Sequence, residues 1–369
     1  MDPGATRFLR QRALAGFGAA AQERLAAAHA VVIGAGGLGA AVLPTLAGAG
    51  IGRITIVDDD RVEESNLHRQ TLFGAGDVGR PKAEAAVDAL RRLAPDAELV
   101  ARAERFAEGI TFDLLLDADV LVDGSDTRAT RYLANDAAAI RGIPLVWGSA
   151  LGWDGLAGVA WDERGVDYRD LFPEDVESDD ADCATVGVLP AVCTVVGGIM
   201  AAETLKVLSG TGDALVGRAV AYDARTGTLR ELAYRRQEGV ARPGSLEERT
   251  TIPEPDVTHS VTAPQLAKLL AGATTAGVHE PVPTLLDVRE PVEASFVSLP
   301  GSVLIPLGDL PARIDELDRD APLVVYCHHG VRSSRALGML QRAGFPRVRH
   351  LTGGIDAWAA QVDPEMPRY

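Results

Sequence analysis

The chain of 369 residues has only three cysteines, Cys183, Cys193 and Cys327. Three thiols cannot build a disulfide framework, nor a four-cysteine zinc site within one chain. Basic charge is also in deficit. Lys and Arg number 36 against 52 Asp and Glu, a net charge of −16. That balance disfavours nucleic acid and anionic membrane as direct partners, because clustered positive charge supplies the attraction to both. Residues 258–369 hold 10 basic and 12 acidic groups, a net of −2, so −14 lies upstream. No uninterrupted apolar run reaches the roughly 18–20 residues of a membrane span. The start, MDPGATRFLRQRALAGFG, lacks the apolar core and small-residue cleavage site of a secretory leader. A cytoplasmic location is expected. What remains is ordinary for a globular protein, 47% apolar and 24% charged, and long enough for two domains.

Strands and helices alternate along the first half. Residues 30–33, 53–57, 120–123 and 145–148 read as strands, and residues 20–29, 38–48, 82–93 and 127–141 as helices. This pattern predicts an α/β fold, a Rossmann-like domain over residues 1–235 with a mostly parallel sheet. Residues 162–184, rich in Asp, Glu and Pro, read as a long exposed loop. Residues 189–208 read as a buried helix, and residues 218–234 as two strands around Thr226 and Gly227. Residues 236–258 are polar with Pro243, Pro253 and Pro255, and read as a linker with a random-coil span of roughly 25–30 Å. A second, smaller α/β domain is expected over 259–369.

The first chemistry-bearing motif is Gly34-Ala35-Gly36-Gly37-Leu38-Gly39, between a strand and a helix. Glycines allow a tight turn and close approach of phosphate, and the helix N-terminus favours an anion. Asp58 ends the next strand, where a carboxylate can accept from ribose hydroxyls. These features alone suit NAD or FAD as well as ATP. The following stretch, Asp58-Asp59-Asp60-Arg61 to Ser65-Asn66-Leu67-His68-Arg69-Gln70, adds Arg69, and Lys82 opens the next helix. Two cations beyond the ribose suit a triphosphate whose charge grows as pyrophosphate leaves. Asp126, in Asp123-Gly124-Ser125-Asp126 at the end of another strand, can hold Mg²⁺ against phosphate oxygens.

Together with Arg7-Phe8-Leu9-Arg10-Gln11 and Gly187-Val188-Leu189-Pro190, these motifs resemble the MoeB/ThiF adenylyltransferases, relatives of the ubiquitin-activating enzymes, over about residues 7–235. The resemblance implies that Gly34, Gly36, Gly37, Gly39, Asp58 and Asp60 line the ATP site. It implies that Asn66, Arg69 and Lys82 meet the phosphates and that Asp126 holds Mg²⁺. In a homodimer Arg10 would reach the ATP of the second subunit. Two departures stand out. Relatives carry two Cys-x-x-Cys pairs that bind a structural zinc; here the first falls on Asp167 and Asp170, and the second, near residues 237–244, has no cysteine. No zinc is therefore expected. Thr127 stands where relatives usually have Asn.

In the second half, Cys327-His328-His329-Gly330-Val331-Arg332 follows an apolar strand and precedes a helix. Such a loop aims backbone N–H groups and a helix dipole at one point, which stabilises a thiolate or persulfide, and Arg332 adds positive charge. A lone cysteine is otherwise a small buried hydrophobe. With Leu286-Asp287-Val288-Arg289, Leu299-Pro300-Gly301-Ser302 and Gly353-Gly354-Ile355-Asp356-Ala357-Trp358, the segment 259–369 resembles a rhodanese sulfurtransferase domain. The resemblance makes Cys327 the persulfide nucleophile and Asp287 and Arg289 structural. Cys183 is either a relay, taking the carrier as a thioester or resolving the persulfide intermediate by a disulfide, or a bystander. Cys193 reads as core.

The fusion resembles the MoeZ-type activators of sulfur-carrier proteins. It implies a bifunctional adenylyltransferase/sulfurtransferase using ATP and Mg²⁺. The partner would be a small ubiquitin-like sulfur-carrier protein with a Gly-Gly C-terminus, and the sulfur donor a cysteine desulfurase or thiosulfate. The product would serve molybdopterin, thiamine, cysteine, thiolated tRNA or a natural product. The competing readings are an NAD- or FAD-dependent oxidoreductase with a rhodanese appendage and a non-catalytic carrier-binding module.

Overall fold

The computed structural model describes residues 6–173, 187–240, 242, 244–245, 259–271, 281–328 and 330–367. It divides into two compact units, Met1–Thr250 and Thr251–Tyr369.

The first unit is organised by one sheet of eight strands, in the order β3-β2-β1-β4-β5-β6-β7-β8. β1 (His29–Ile33) is buried along its whole length, as a central parallel strand requires. β2 (Arg53–Val57) and β4 (Val120–Asp123) flank it in parallel, Ile33 pairing with both Val57 and Asp123. The carboxyl ends of three strands are thus level. Because β2 and β4 lie on opposite sides of β1, a crevice opens there, the place where open α/β sheets bind ligands. β3 (Glu98–Arg102) and β5 (Leu145–Leu151) complete the parallel part. β6 (Asp154–Ala160), β7 (Arg218–Asp223) and β8 (Thr228–Ala233) then run antiparallel.

Apolar clusters fill both faces of this sheet. On one face, α1 (Gly37–Ala49) and α2 (Pro190–Ser209) cross closely. A Cβ at Gly197 would stand 2.6 Å from the Ala41 Cβ, so only glycine allows this approach. At 20 residues, α2 is long and apolar enough to cross a membrane by length and composition. The sequence did not read as holding such a segment. Here the helix lies in the core, with Val192, Cys193, Val196 and Met200 buried. Its Glu203 is satisfied by Lys206 at 2.5 Å and by the Leu215 N–H at 2.8 Å.

The opposite face corrects the reading of residues 162–184 as an exposed loop. Val166, Asp167, Tyr168, Arg169 and Asp170 are all buried. Tyr168 packs edge-on against Trp147 and Tyr132. Arg169 is buried because Asp136, on α3 (Arg128–Arg141), takes its guanidinium through both carboxylate oxygens, one at 3.0 Å. The rest of that expected loop, residues 174–184, lies outside the described residues.

The second unit has five parallel strands in the order β11-β10-β12-β13-β9: β9 (Ser260–Val261), β10 (Thr284–Asp287), β11 (Val303–Leu304), β12 (Leu323–Tyr326) and β13 (Val348–Leu351). Asp287 and Arg289 form a buried ion pair at 2.6 Å behind the end of β10.

Removing one member of a buried pair strands the other charge, at a cost of about 3–5 kcal/mol. Asp136→Ala is therefore expected to destabilise the first unit by that order in urea unfolding followed by tryptophan fluorescence. An unchanged midpoint would mean that Arg169 finds another partner at little cost.

Candidate nucleotide and sulfur-transfer sites

The first site is built on the β1–α1 turn. Gly34 adopts φ +86°, a conformation L side chains avoid, and its N–H donates to Val57 O at 2.9 Å. A Cβ at Gly39 would lie 2.1 Å from Gly34 O, so the turn closes only with glycine there. Gly36 precedes the first residue of α1, whose unpaired N–H groups face the crevice. Beneath the turn sits Cys193, its Sγ 2.8 Å from where a Gly37 Cβ would be. Burial pushes the Cys193 thiol up, and it packs as a small apolar group.

Asp58 follows β2 and accepts the Ala35 N–H at 2.7 Å and the Asp60 N–H at 2.9 Å. Burial raises its pKa, against the lowering pull of Lys82 and these two N–H groups. Lys82 is buried at the start of α4 (Lys82–Arg91; the helix precedes α3 in the chain) and its Nζ meets Asp60 Oδ2 at 2.8 Å. Asn66 is buried in the single turn Glu64–Asn66. The half-buried Arg69 lies against the glycine turn, its Cγ 3.6 Å from the Gly37 Cβ position. Its guanidinium is 2.8 Å from His68 Nε2, and burial followed by the charge of Arg69 lowers the His68 pKa.

The turn after β4 docks beside this one, Gly124 N–H donating to Ile33 O at 2.9 Å. Asp123 is fully buried and its pKa raised by that burial, against the opposing charge of Arg131; it accepts the Ser125 N–H at 2.9 Å. Asp126 is exposed. Thr127 caps α3, its hydroxyl accepting the Thr130 N–H at 3.2 Å, which gives this departure from the family pattern a structural task. Among the described residues, Asp58, Asp59 and Asp60 are the group whose ligand atoms come within 4.8 Å of one another. Arg10 is not brought to this cluster. It is exposed on the short helix Leu9–Arg12, whose Gln11 holds Ala49 O at 3.0 Å. That contact is at the far end of α1, some 20 Å of helix away from the glycine turn.

The second site follows β12. Cys327 is 1% exposed, and its Sγ accepts N–H groups of Gly330 at 3.1 Å and Ser333 at 3.4 Å. Gly330, at φ +101°, turns the chain into α5 (Val331–Arg342), so the helix N-terminus faces the sulfur. A Cβ at Gly354 would lie 2.1 Å from His328 O; glycine there lets Ile355 N–H reach Cys327 O at 2.9 Å. Arg332 grips Glu293 with both terminal nitrogens, at 2.6 and 2.7 Å. Burial pushes the Glu293 carboxyl up, but the hydrogen bonds from Arg332 and the Glu290 N–H, with the Arg332 charge, outweigh it and the net shift is downward. Cys183 and His329 lie outside the described residues.

Comparison with known proteins agrees with this pair of folds. Residues 8–240 match the ThiF family, and residues 262–361 match the Rhodanese-like domain. The chain belongs to the ThiF family. It is 38% identical, over 98% of its length and 95% of the relative's, to the probable adenylyltransferase/sulfurtransferase MoeZ of Mycobacterium tuberculosis. It is 44% identical, over 62% of its length and 87% of the relative's, to a sulfur carrier protein adenylyltransferase of Thermus thermophilus. Among solved structures, E. coli MccB with ATP shares the fold at a TM-score of 0.53 and 20% identity, over 60% of this chain and 68% of that one. This ThiF-family protein is a bifunctional adenylyltransferase/sulfurtransferase, and ATP is the nucleotide of its adenylating half.

The carboxylates at the positions where the resemblance puts zinc ligands are joined in an ion-pair cluster. Asp167 and Asp170 are buried, and Arg242 bridges them, its Nε 2.9 Å from Asp167 Oδ2 and its NH2 on Asp170 Oδ1. Gln237 adds its backbone N–H to Asp170 Oδ1 at 2.8 Å and its amide to Asp170 O at 2.7 Å. A guanidinium holds the centre of this cluster, and its donor chemistry does not fit zinc. Gln237 and Arg242, inside the expected linker, are thereby bonded to the first unit.

Sequence reasoning missed Glu293, which lies 39 residues from its partner Arg332. The only local signal was an acid three residues after Glu290, a capping box at the start of Pro291–Phe296. Because the Glu293 pKa is depressed on folding, its contribution is present above the ordinary Glu range and is lost as pH falls through the folded value. Glu293→Gln is expected to destabilise the second unit by about 1–3 kcal/mol at neutral pH. The wild-type advantage should shrink toward zero below about pH 4. Urea unfolding at the two pH values checks this; an equal difference at both would show that ionisation of Glu293 is not its source.

Proposed function

We propose that the protein adenylates the C-terminal Gly-Gly carboxylate of a small ubiquitin-like sulfur-carrier protein and then converts it to a thiocarboxylate with sulfur carried on Cys327. The observation that carries this reading is the coexistence, in one chain, of two anion-handling sites. One gathers Lys82, Asp58 and Arg69 at a glycine turn, and the other holds a cysteine sulfur on the N–H groups of Gly330 and Ser333. The activities named for the relatives that match this chain support it.

In the first step the carrier carboxylate attacks the α-phosphate of ATP, forming an acyl-phosphate bond and releasing pyrophosphate. Asp58 would hold the ribose, and Gly34, Gly36, Gly37 and Gly39 keep the turn low enough for phosphate to approach. Lys82, Arg69 and Asn66 would meet the phosphates, so positioning and charge supply most of the acceleration. Asp126, a hard oxygen ligand beside the turn, suits Mg²⁺, which when bound neutralises phosphate charge. Arg10, remote from its own site, would serve the site of a second copy in a homodimer. In the second step the terminal sulfur of the Cys327 persulfide attacks the acyl carbon and AMP leaves, giving an acyl disulfide. Attack on the Cys327 sulfur by the Cys183 thiolate, or by an external thiol, frees the thiocarboxylate and leaves a disulfide that a reductant must reopen. The persulfide would be loaded from a cysteine desulfurase or thiosulfate. A cytoplasmic location and the division into residues 1–235, a linker at 236–258 and residues 259–369 belong to the same reading.

Lys82→Ala or Asp126→Ala should abolish carrier-dependent ATP–pyrophosphate exchange. Cys327→Ala should leave exchange intact and stop thiocarboxylate formation, read as the gain of about 16 Da on the carrier, one oxygen exchanged for sulfur. Normal thiocarboxylate yield from Cys327→Ala would remove the rhodanese-like domain from the reaction.

The Arg242 cluster supports a zinc-free fold. Metal analysis of the purified chain is expected to find no stoichiometric zinc, and EDTA should leave the melting temperature unchanged. One tightly bound zinc per chain would overturn this.

A further inference from the structure

One buried group behind the Cys327 loop has no task in the chemistry described so far, and any role for it rests on the reading of Cys327 as the sulfur carrier. His350 lies on β13, 4% exposed. Its Nε2 is enclosed and has no hydrogen-bond partner, a state that costs free energy an apolar residue would not incur. Its Nδ1 faces Ser333 Oγ at 3.5 Å. Ser333 is fully buried, with its Oγ 3.0 Å from Gly330 O and 3.7 Å from Cys327 Sγ.

A hydroxyl has one proton to give and lone pairs that accept. Two acceptors compete for the Ser333 proton, the Gly330 carbonyl and the cysteine sulfur. Gly330 O already takes the Ser334 N–H at 3.1 Å. Burial lowers the His350 pKa, which keeps the ring neutral with a proton on one nitrogen. With the proton on Nδ1, the ring donates to Ser333 Oγ. That occupies the oxygen as an acceptor and strengthens its own O–H as a donor. With the proton on Nε2, the ring would enclose an N–H with nothing to receive it.

We propose that His350 is a positioning residue for sulfur transfer: its Nδ1–H holds Ser333 Oγ and turns the serine proton toward the anionic sulfur on Cys327. The sulfur then has three donors, the Gly330 N–H, the Ser333 N–H and the Ser333 hydroxyl. The loop also contains His328 and Arg332, the latter taken up by Glu293, and Asp356 donates its backbone N–H to His328 O. None of these contacts substitutes for the serine proton.

The test is the alkylation rate of Cys327 by iodoacetamide at neutral pH in the full chain, followed on its own peptide by mass spectrometry. It reads the thiolate without ATP, carrier or sulfur donor, so its outcome is separate from that of the Cys327→Ala exchange experiment. Ser333→Ala is expected to slow alkylation about fivefold or more, through loss of a hydrogen bond to the sulfur. His350→Leu, which fills the space without a donor, should slow it several-fold. His350→Asn, whose amide N–H can stand where Nδ1–H does, should restore a rate close to wild type. Circular dichroism and melting curves establish that each variant is folded. A wild-type rate in folded His350→Leu would overturn the proposal, and so would an equal slowing in the Leu and Asn variants, which would mark His350 as packing only.

Discussion

Both sites depend on one constraint of parallel sheets. A strand that must be followed by a parallel neighbour returns its chain through a helix, and that helix begins over the strand's carboxyl end. The first turn of the helix has N–H groups with no intrahelical partner. In the first unit the β1–α1 turn aims them into the crevice between β2 and β4. In the second, the turn from β12 into α5 aims them at the Cys327 sulfur, where Gly330 and Ser333 supply two of them. An anion at either turn would be met first by backbone, and side chains would refine what the backbone has set.

Close approach is the price of that design, and glycine meets it at few positions. Gly39 lies so near Gly34 O, and Gly354 so near His328 O, that no Cβ fits at either. These are the positions that made the sites legible in the sequence, since glycine spacing survives as a pattern of letters. The strand runs were legible for the same reason: His29–Ile33 and Leu323–Tyr326 are short apolar segments buried on both faces. Asp58, Arg69 and Lys82 were singled out because a familiar order of motifs carries them; Asp58 and Arg69 touch the glycine turn, and Lys82 pairs with Asp60 close by.

Charges buried in pairs were not legible. Arg169 finds Asp136 across 33 residues and Arg332 finds Glu293 across 39. Such pairs leave no periodicity, so a stretch of Asp, Glu and Arg reads as solvated. Residues 166–170 show the consequence, since their charges are paired internally and the segment folds into the core. The Arg242 cluster is the sharper case. Its carboxylates were noticed at the positions of missing thiols, but the arginine that joins them lay in what read as linker. Arg10 is a different case. Its helix sits at the far end of α1, away from its own chain's turn, and the reading made of it was for the site of a second copy.

Lys82 and Asp60 show how the resting site is poised. Both belong to the expected nucleotide site, and the structure pairs them at 2.8 Å, with the lysine side chain 6% exposed and the aspartate 68% exposed. The pair is therefore asymmetric. An exposed carboxylate that loses its partner is resolvated by water at little cost, whereas a buried ammonium needs a counter-charge. An incoming triphosphate offers several negative oxygens in place of one carboxylate. On the function proposed above, exchange of partners would favour Lys82 turning to phosphate while Asp60 returns to solvent. Asp60 holds the lysine in place beside Asp58, whose own ionisation burial opposes and the lysine supports. The ion pair thus gives a buried cation of the expected nucleotide site its counter-charge.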